Sequence, residues 1–290
     1  MNMKQLVFDL CGSPGVTGRE EAAAETISRF LSSFGGVYAA GNGNLFGEFC
    51  GSSREADAPH VLLDAHMDQV GMTVTRIDRD GFVHFVKCGG VDPRILVGKP
   101  VVIYGKKRVK GIISCMPPHL TGKDDKKAPA IEEMQVDTGL SKEKVQQLIS
   151  LGDRILVNYA PVELLGGRVA SPALDNRAGV AAILRCLEIL KEEKEPLTCK
   201  LTVLFSAQEE FSGSGAATGA FRCSPDEAVV VDVSFAQTPD CKEDNTAPMG
   251  SGVMIGLAPS LSPRMSQSLL RLAEKNSIPY TRDVAGGRTG

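Results

Sequence analysis

Three apolar runs in this chain end in residues that can hold a cation or move a proton. "VLLDAHMD" delivers His66 and Asp68, "TVLFSAQEE" delivers Glu209 and Glu210, and "AVVVDVSFA" delivers Asp232. A fourth acid, Asp175, stands in "ALDN" just before a helical pattern. Adjacent glutamates at the end of a strand that reads as buried repel each other, and burial deepens the repulsion. Either the pair lies on an open surface or a positive charge sits beside it. One imidazole with several carboxylate oxygens is a donor set suited to Zn2+, Co2+ or Mn2+. The His66-x-Asp68 spacing adds a local reason, since a metal-bound imidazole usually has its second nitrogen held by a carboxylate. Each motif alone is weak. A lone His-x-Asp is most often chance, an isolated Glu-Glu is most often solvated, and an acid before a helix is most often an N-terminal charge. Three acid-terminated apolar strands plus "ALDN" in one chain favour the joint metal reading.

The elements that would carry these residues alternate between helix and strand. "MNMKQLVFDLC" reads as an amphipathic helix. Thr17 and Glu20 are spaced as a capping box for a second helix, with Ala23, Ile27, Phe30, Leu31 and Phe34 at helical intervals. "VYAAGNGNLFGEF" predicts a hairpin, and "HVLLDAHMD" a buried strand. From about Val70 to Val162 the texture becomes short alternating strands with frequent turns, broken by the polar loop "TGKDDKKAPA" and a short helix from Ser141. That pattern predicts a small β-rich, barrel-like domain. A long helix follows, with Val180, Ile183, Leu184, Leu187 and Leu190 on one face. Then come strand "LTVLFSA", small residues from Gly213 to Gly219 that would permit close packing, strand "AVVVDVSFA", strand-like "GVMIGL" and helix "PRMSQSLLRLAEKN". The expected fold is α/β: a mixed sheet flanked by helices, at residues 1–69 and 163–290, with a β-rich domain inserted at 70–162. In open α/β sheets ligands collect beyond the carboxyl ends of the strands, where the acids fall.

Composition narrows the function. With 42% hydrophobic and 23% charged residues, the chain has the make-up of a soluble globular protein. A net charge of −3 with no basic block gives nucleic-acid binding no support. No run of about 18 apolar residues predicts a membrane span. The eight cysteines are scattered and form no Cys-x-x-Cys pair, so reduced thiols and a cytoplasmic location are expected.

Taken in order, "AHMDQVG", "SPALDNRAGVAAIL", "SAQEEFSGSGA" and "VVVDVSFA" resemble the dinuclear-metal tetrahedral (TET) aminopeptidases and glutamyl aminopeptidases, some of which carry an endoglucanase label. "GVTGRE" and "VDTG" also fit, and the resemblance covers nearly the whole chain. It implies a zinc-peptidase-like catalytic domain that removes N-terminal residues from peptides. It implies two divalent metal ions per subunit, Zn2+ or Co2+ with Mn2+ a third option. By resemblance, His66 and Asp232 bind the first ion, Asp175 bridges both, and Glu210 binds the second. Glu209 is then the general base acting on a bridging water, and Asp68 orients His66. The inserted domain would build a homo-oligomer, up to a dodecamer assembled from dimers.

The resemblance also exposes a departure. Its last metal ligand is a histidine near the C-terminus, whereas the histidines here are His60, His66, His84 and His119, none after Glu210. The chain therefore reads as a member lacking its C-terminal end, with the last strand and helix of the sheet absent and activity weak or lost. Two other functions compete. A catalytically silent, metal-binding assembly protein would keep the metal without hydrolysis. An endoglucanase-type glycoside hydrolase would need carboxylates on opposite sides of a bond, which adjacent glutamates do not provide, and the chain has no Trp for a sugar platform.

Overall fold

A computed structural model describes the chain except residues 1, 40–41, 51–57, 122–127, 194–196, 240, 242–245 and 287–290. Helices α1 (Met3–Cys11) and α2 (Glu21–Leu31) come first, then strands β1 (Gly36–Ala39), β2 (Leu45–Cys50) and β3 (His60–His66). Next are β4 (Gly71–Ile77), β5 (Val83–Cys88), β6 (Pro100–Tyr104), β7 (Arg108–Cys115), α3 (Pro118–Thr121), β8 (Met134–Asp137), α4 (Lys142–Leu148) and β9 (Arg154–Val157). A small hairpin, β10 (Val162–Leu164) with β11 (Arg168–Ala170), leads to α5 (Leu174–Glu193), β12 (Lys200–Ser206), α6 (Ser214–Cys223) and β13 (Glu227–Val230). The chain divides into two compact units at Val231, and the second carries β14 (Val253–Leu257), α7 (Pro263–Lys275) and β15 (Tyr280–Val284).

The first unit holds a five-stranded sheet in the order β1-β2-β12-β3-β13. β12, β3 and β13 run parallel, while β1 and β2 are antiparallel, so the sheet is mixed as expected. β12 lies between β2 and β3, and every residue from Leu201 to Ser206 is buried. A strand covered on both faces has no polar alternation, which is why "LTVLFS" is a continuous apolar run. One face packs on Leu6 and Leu10 of α1, Ile27 and Leu31 of α2, and Val180, Ile183 and Leu184 of α5. On the other, Phe46, Leu62 and Leu204 meet Ala220 and Cys223 of α6. Gly215 and Gly219 permit that second layer. A Cβ at Gly215 would lie 2.0 Å from the Ala207 carbonyl oxygen, and one at Gly219 would lie 2.4 Å from Leu204.

Between β3 and β12 the chain forms a closed six-stranded barrel, β4-β5-β8-β7-β6-β9. Its interior is filled by Met72, Val74, Phe85, Val101, Ile103, Ile113, Val136 and Ile155. Inward residues alternate with exposed ones, as β7 shows from Arg108 to Ile113. The polar run at 121–130 falls largely outside the described residues.

One expectation fails at α2. The helix begins at Glu21 with Glu20 in the N-cap place, and no side chain caps it. Thr17 Oγ1 is buried without a partner among the described residues, and the Glu20 carboxylate turns elsewhere. The Thr-x-x-Glu spacing is fulfilled in sequence, but tertiary contacts take the glutamate.

In the second unit β14 and β15 pair in parallel, Val253 opposite Tyr280, and α7 packs Leu270 and Ala273 against Ile255. Ser262 caps α7 by accepting from the Met265 N–H at 3.3 Å, with Pro263 opening the first turn.

Candidate metal centre

β3 and β12 are parallel neighbours in a register that sets His66 beside Ser206, and both strands stop there. The Met67 N–H still donates to the Ser206 carbonyl at 2.9 Å, so the two chains leave the sheet together. β13 joins the other side of β3, and the Val231 N–H donates to the Asp64 carbonyl at 2.8 Å. Three carboxyl ends thus share one sheet edge.

His66 is buried at this edge. Its Nε2 lies 3.0 Å from Asp175 Oδ1 and 3.9 Å from Glu209 Oε2, while Nδ1 lies 3.3 Å from Asp68 Oδ1. Asp68 is fully buried, and its two oxygens accept the N–H groups of Glu209 at 3.0 Å and Glu210 at 3.1 Å. One carboxylate therefore lies beside the imidazole and accepts the amides of both glutamates. Asp175 is 58% exposed, so the cluster opens to solvent on its side. It sits at the start of α5 with φ −81° and ψ 107°, outside the helical region, as does Asn176. Asn176 fixes this entry: its Nδ2 donates to the Val231 carbonyl at 2.8 Å, and its Oδ1 accepts from the Gly179 N–H at 3.0 Å. Asp232 follows Val231 directly and is the first residue of the second unit. Within that unit its Oδ1 accepts the Val233 N–H at 2.7 Å. So His66, Asp68, Asp175, Glu209 and Glu210 are gathered in the first unit, and Asp232 is joined to it through the chain at Val231.

The electrostatics are those of an unbalanced acid cluster. Burial, then the charges of Asp175, Asp68 and Glu209, push the Glu210 carboxyl up to about 7, although His66 opposes them. A neighbouring cation would reverse that bias. Imidazole and carboxylate oxygens are the donors that Zn2+, Co2+ and Mn2+ accept, so the residues present fit a divalent ion.

Three supporting residues were not read as part of the site. Arg177 is fully buried, donates from Nη1 to the Leu10 carbonyl at 3.0 Å, and has its pKa lowered to about 10 by burial, against the charges of Cys11, Asp68 and Glu20. A charged residue on the same helical stripe as Val180 and Leu184 was the available signal. Asn44, read as part of a turn, is fully buried and bridges the Ala207 N–H at 2.9 Å and the Gly215 carbonyl at 2.8 Å. Glu20 is 4% exposed, and its Oε1 accepts from the N–H of Gly18 at 2.6 Å and of Gln208 at 3.2 Å. Burial raises its pKa. The barrel side contributes Gly89, at φ +81°, where a Cβ would come within 2.9 Å of Val70 and 3.1 Å of the Glu210 carbonyl.

The other histidines lie elsewhere. His60 pairs its Nε2 with Thr202 Oγ1 at 2.8 Å inside the sheet, and His84 lies 3.2 Å from Asp78 on the barrel. His119 is exposed on α3. Among the described residues no helix is long and apolar enough to cross a membrane, and Cys11, Cys88, Cys115, Cys186, Cys199, Cys223 and Cys241 are free thiols.

Known proteins resemble this chain in sequence and fold. The lysyl aminopeptidase of Pyrococcus furiosus is 28% identical over 99% of this chain and 82% of its own length. An aminopeptidase structure from the archaeon Desulfurococcus kamchatkensis superposes with a TM-score of 0.90 at 29% identity, over 99% of this chain and 81% of that one. The TET1 peptidase of Pyrococcus horikoshii, described as assembling into a tetrahedron or a large octahedral shell, gives 0.83 at 30% identity over 99% and 86%. The model of the M42 glutamyl aminopeptidases matches residues 43–290. With its sheet, inserted barrel and acid-rich strand ends, the chain belongs to the M42 glutamyl aminopeptidase family and is an enzyme of the aminopeptidase class.

Proposed function

We propose that the chain removes N-terminal residues from peptides at a two-metal centre on the carboxyl edge of its sheet. His66 and Asp232 would hold one divalent ion, Glu210 would hold the other, and Asp175 would be shared between them. Zn2+, Co2+ and Mn2+ suit these donors. When bound, such ions polarise the peptide carbonyl and lower the pKa of the attacking water. Glu209 accepts the proton of that water and returns it to the leaving amine. Asp68 holds Nδ1 of His66 so that Nε2 is presented toward Asp175.

The double engagement of Asp68 carries this reading. A buried carboxylate that lies 3.3 Å from Nδ1 of His66 and also accepts the Glu209 and Glu210 amides brings the imidazole and the two glutamates to one place, which supports a shared role. The elevated Glu210 pKa supports it, because a carboxyl surrounded by other acids gains most from a cation. We assign residues 1–69 and 163–290 to the catalytic domain and 70–162 to an inserted oligomerisation domain. Support for assembly comes from the P. horikoshii relative, which can assemble into a tetrahedron or a large octahedral shell.

The test is hydrolysis of a panel of aminoacyl-p-nitroanilides before chelation, after chelation, and after return of Zn2+, Co2+ or Mn2+. Activity lost on chelation and restored by one of these ions is expected. Metal retained without hydrolysis of any substrate or peptide would favour the silent assembly protein instead.

A further inference from the structure

Four consecutive amides leave the end of β12, and each donates to a side-chain oxygen from another segment. The Ala207 N–H goes to Asn44 Oδ1, that of Gln208 to Glu20 Oε1, and those of Glu209 and Glu210 to the two oxygens of Asp68. Gln208 sits in the middle at φ 59°. A non-glycine residue in that left-handed region is strained and persists only where its surroundings hold it. The turn at Gln208 is what redirects the chain from the sheet into the Glu209-Glu210 pair.

We infer that Glu20 is a positioning residue for the general base, acting through the backbone of Gln208. This inference rests on the aminopeptidase reading above. Glu20 performs no visible service for its own helix, since its side chain caps nothing there. Its carboxylate is buried, which is unfavourable for a surface helix residue without a partner. What it gains is the amides of Gln208 and Gly18, which both donate to Oε1. Gly18 follows Thr17, whose own N–H donates to the Gln69 carbonyl at 3.1 Å, next to Asp68. Glu20 therefore ties the Gln208 turn to the segment that carries Asp68, and sets where Glu209 points. The oxygen matters here, and the charge does not. A glutamine keeps the acceptor, an alanine removes it, and an aspartate is one methylene too short.

The experiment compares wild type, Glu20→Ala, Glu20→Gln and the double variant Glu20→Ala/Gln208→Gly. Each is read for kcat and KM on the p-nitroanilide that wild type cleaves best, for bound metal, and for amide hydrogen exchange over residues 207–210. Glu20→Ala is expected to lower kcat by about 10²-fold, the loss that a misplaced catalytic group of roughly 1 Å brings. KM should stay within about threefold and bound metal should be unchanged. Glu20→Gln should stay within about threefold of wild type in kcat. Glycine at 208 tolerates the left-handed turn unaided, so the double variant should recover about tenfold of the lost kcat. Exchange over 207–210 should speed up at least about tenfold in Glu20→Ala, a readout that needs no turnover and separates this inference from the aminopeptidase reading. Should Glu20→Ala fail to fold, Glu20→Asp is held to the same thresholds. A lowered melting temperature with kcat and exchange unchanged would overturn the inference. So would a Glu20→Gln variant as impaired as Glu20→Ala.

Discussion

Asp68 and Arg177 decide most of the chemistry at the scale of single residues. Asp68 has no exposed surface, and its charge is balanced by two backbone amides, by the neighbouring imidazole and by the field of Arg177. Carboxylates that hold a metal-bound histidine typically contribute 10- to 100-fold in metal affinity. Asp68→Ala should therefore weaken Zn2+ binding by about that factor in a competition titration against a chelator; unchanged affinity would show that His66 needs no such support. Arg177→Met, close in volume, should destabilise the chain by about 3–5 kcal/mol in denaturant unfolding, because it leaves Asp68 and Glu20 buried without a counter-charge. A loss under about 1 kcal/mol would mean that these carboxylates do not depend on Arg177 as their counter-charge. His60 makes a separate statement about pH. Burial, then the charge of Lys200, lowers its pKa below the ordinary value near 6.5, so the folded state holds it neutral. Its contribution is present above pH 6.5 and is lost as pH falls through the folded value, where the unfolded chain binds the proton more readily. Denaturation midpoints between about pH 7.5 and 5 should fall less steeply for His60→Gln than for wild type, and parallel curves would refute this.

At the scale of elements, the site depends on where β3 and β12 stop and on how closely α6 approaches them. Gly215→Ala would drive a methyl into the Ala207 carbonyl, displacing α6 or the strand end that leads to Glu209. A loss of about 1–3 kcal/mol is expected from such overpacking, read as a lower melting temperature. An unshifted melt would mean that α6 can move without strain. Much of this layer was legible in sequence. The apolar runs at 60–66 and 200–206 are strands because they are short, continuous and bounded by polar residues. The long helix follows from Val180, Ile183, Leu184 and Leu187 at helical spacing. The capping box at Thr17 and Glu20 was misleading, since the same spacing serves a tertiary contact to Gln208. Asn44 shows the same limit: an Asn after Gly reads as a turn, while its buried bridge to Ala207 and Gly215 joins residues far apart in the chain. β15 escaped because "YTRDV" has too few apolar residues to declare itself, and its pairing with β14 spans a whole helix.

For the whole molecule, one sheet edge receives contributions from residues 60–68, 175–177, 206–210 and 231, which lie on both sides of a barrel of about ninety residues in the chain. The insertion leaves β3 and β12 in register, so the barrel can grow between them without disturbing the site. The Gly89 approach to Glu210 is one contact that couples the barrel to that edge. Whether Glu209 is the base of a metal-dependent aminopeptidase is decided by comparing wild type with Glu209→Gln at equal metal content on one cleaved aminoacyl-p-nitroanilide. Loss of the general base should lower kcat by about 10²- to 10⁴-fold with KM little changed and the same amount of metal bound. Undiminished hydrolysis in the variant, or hydrolysis indifferent to the metal, would rule out that role for Glu209.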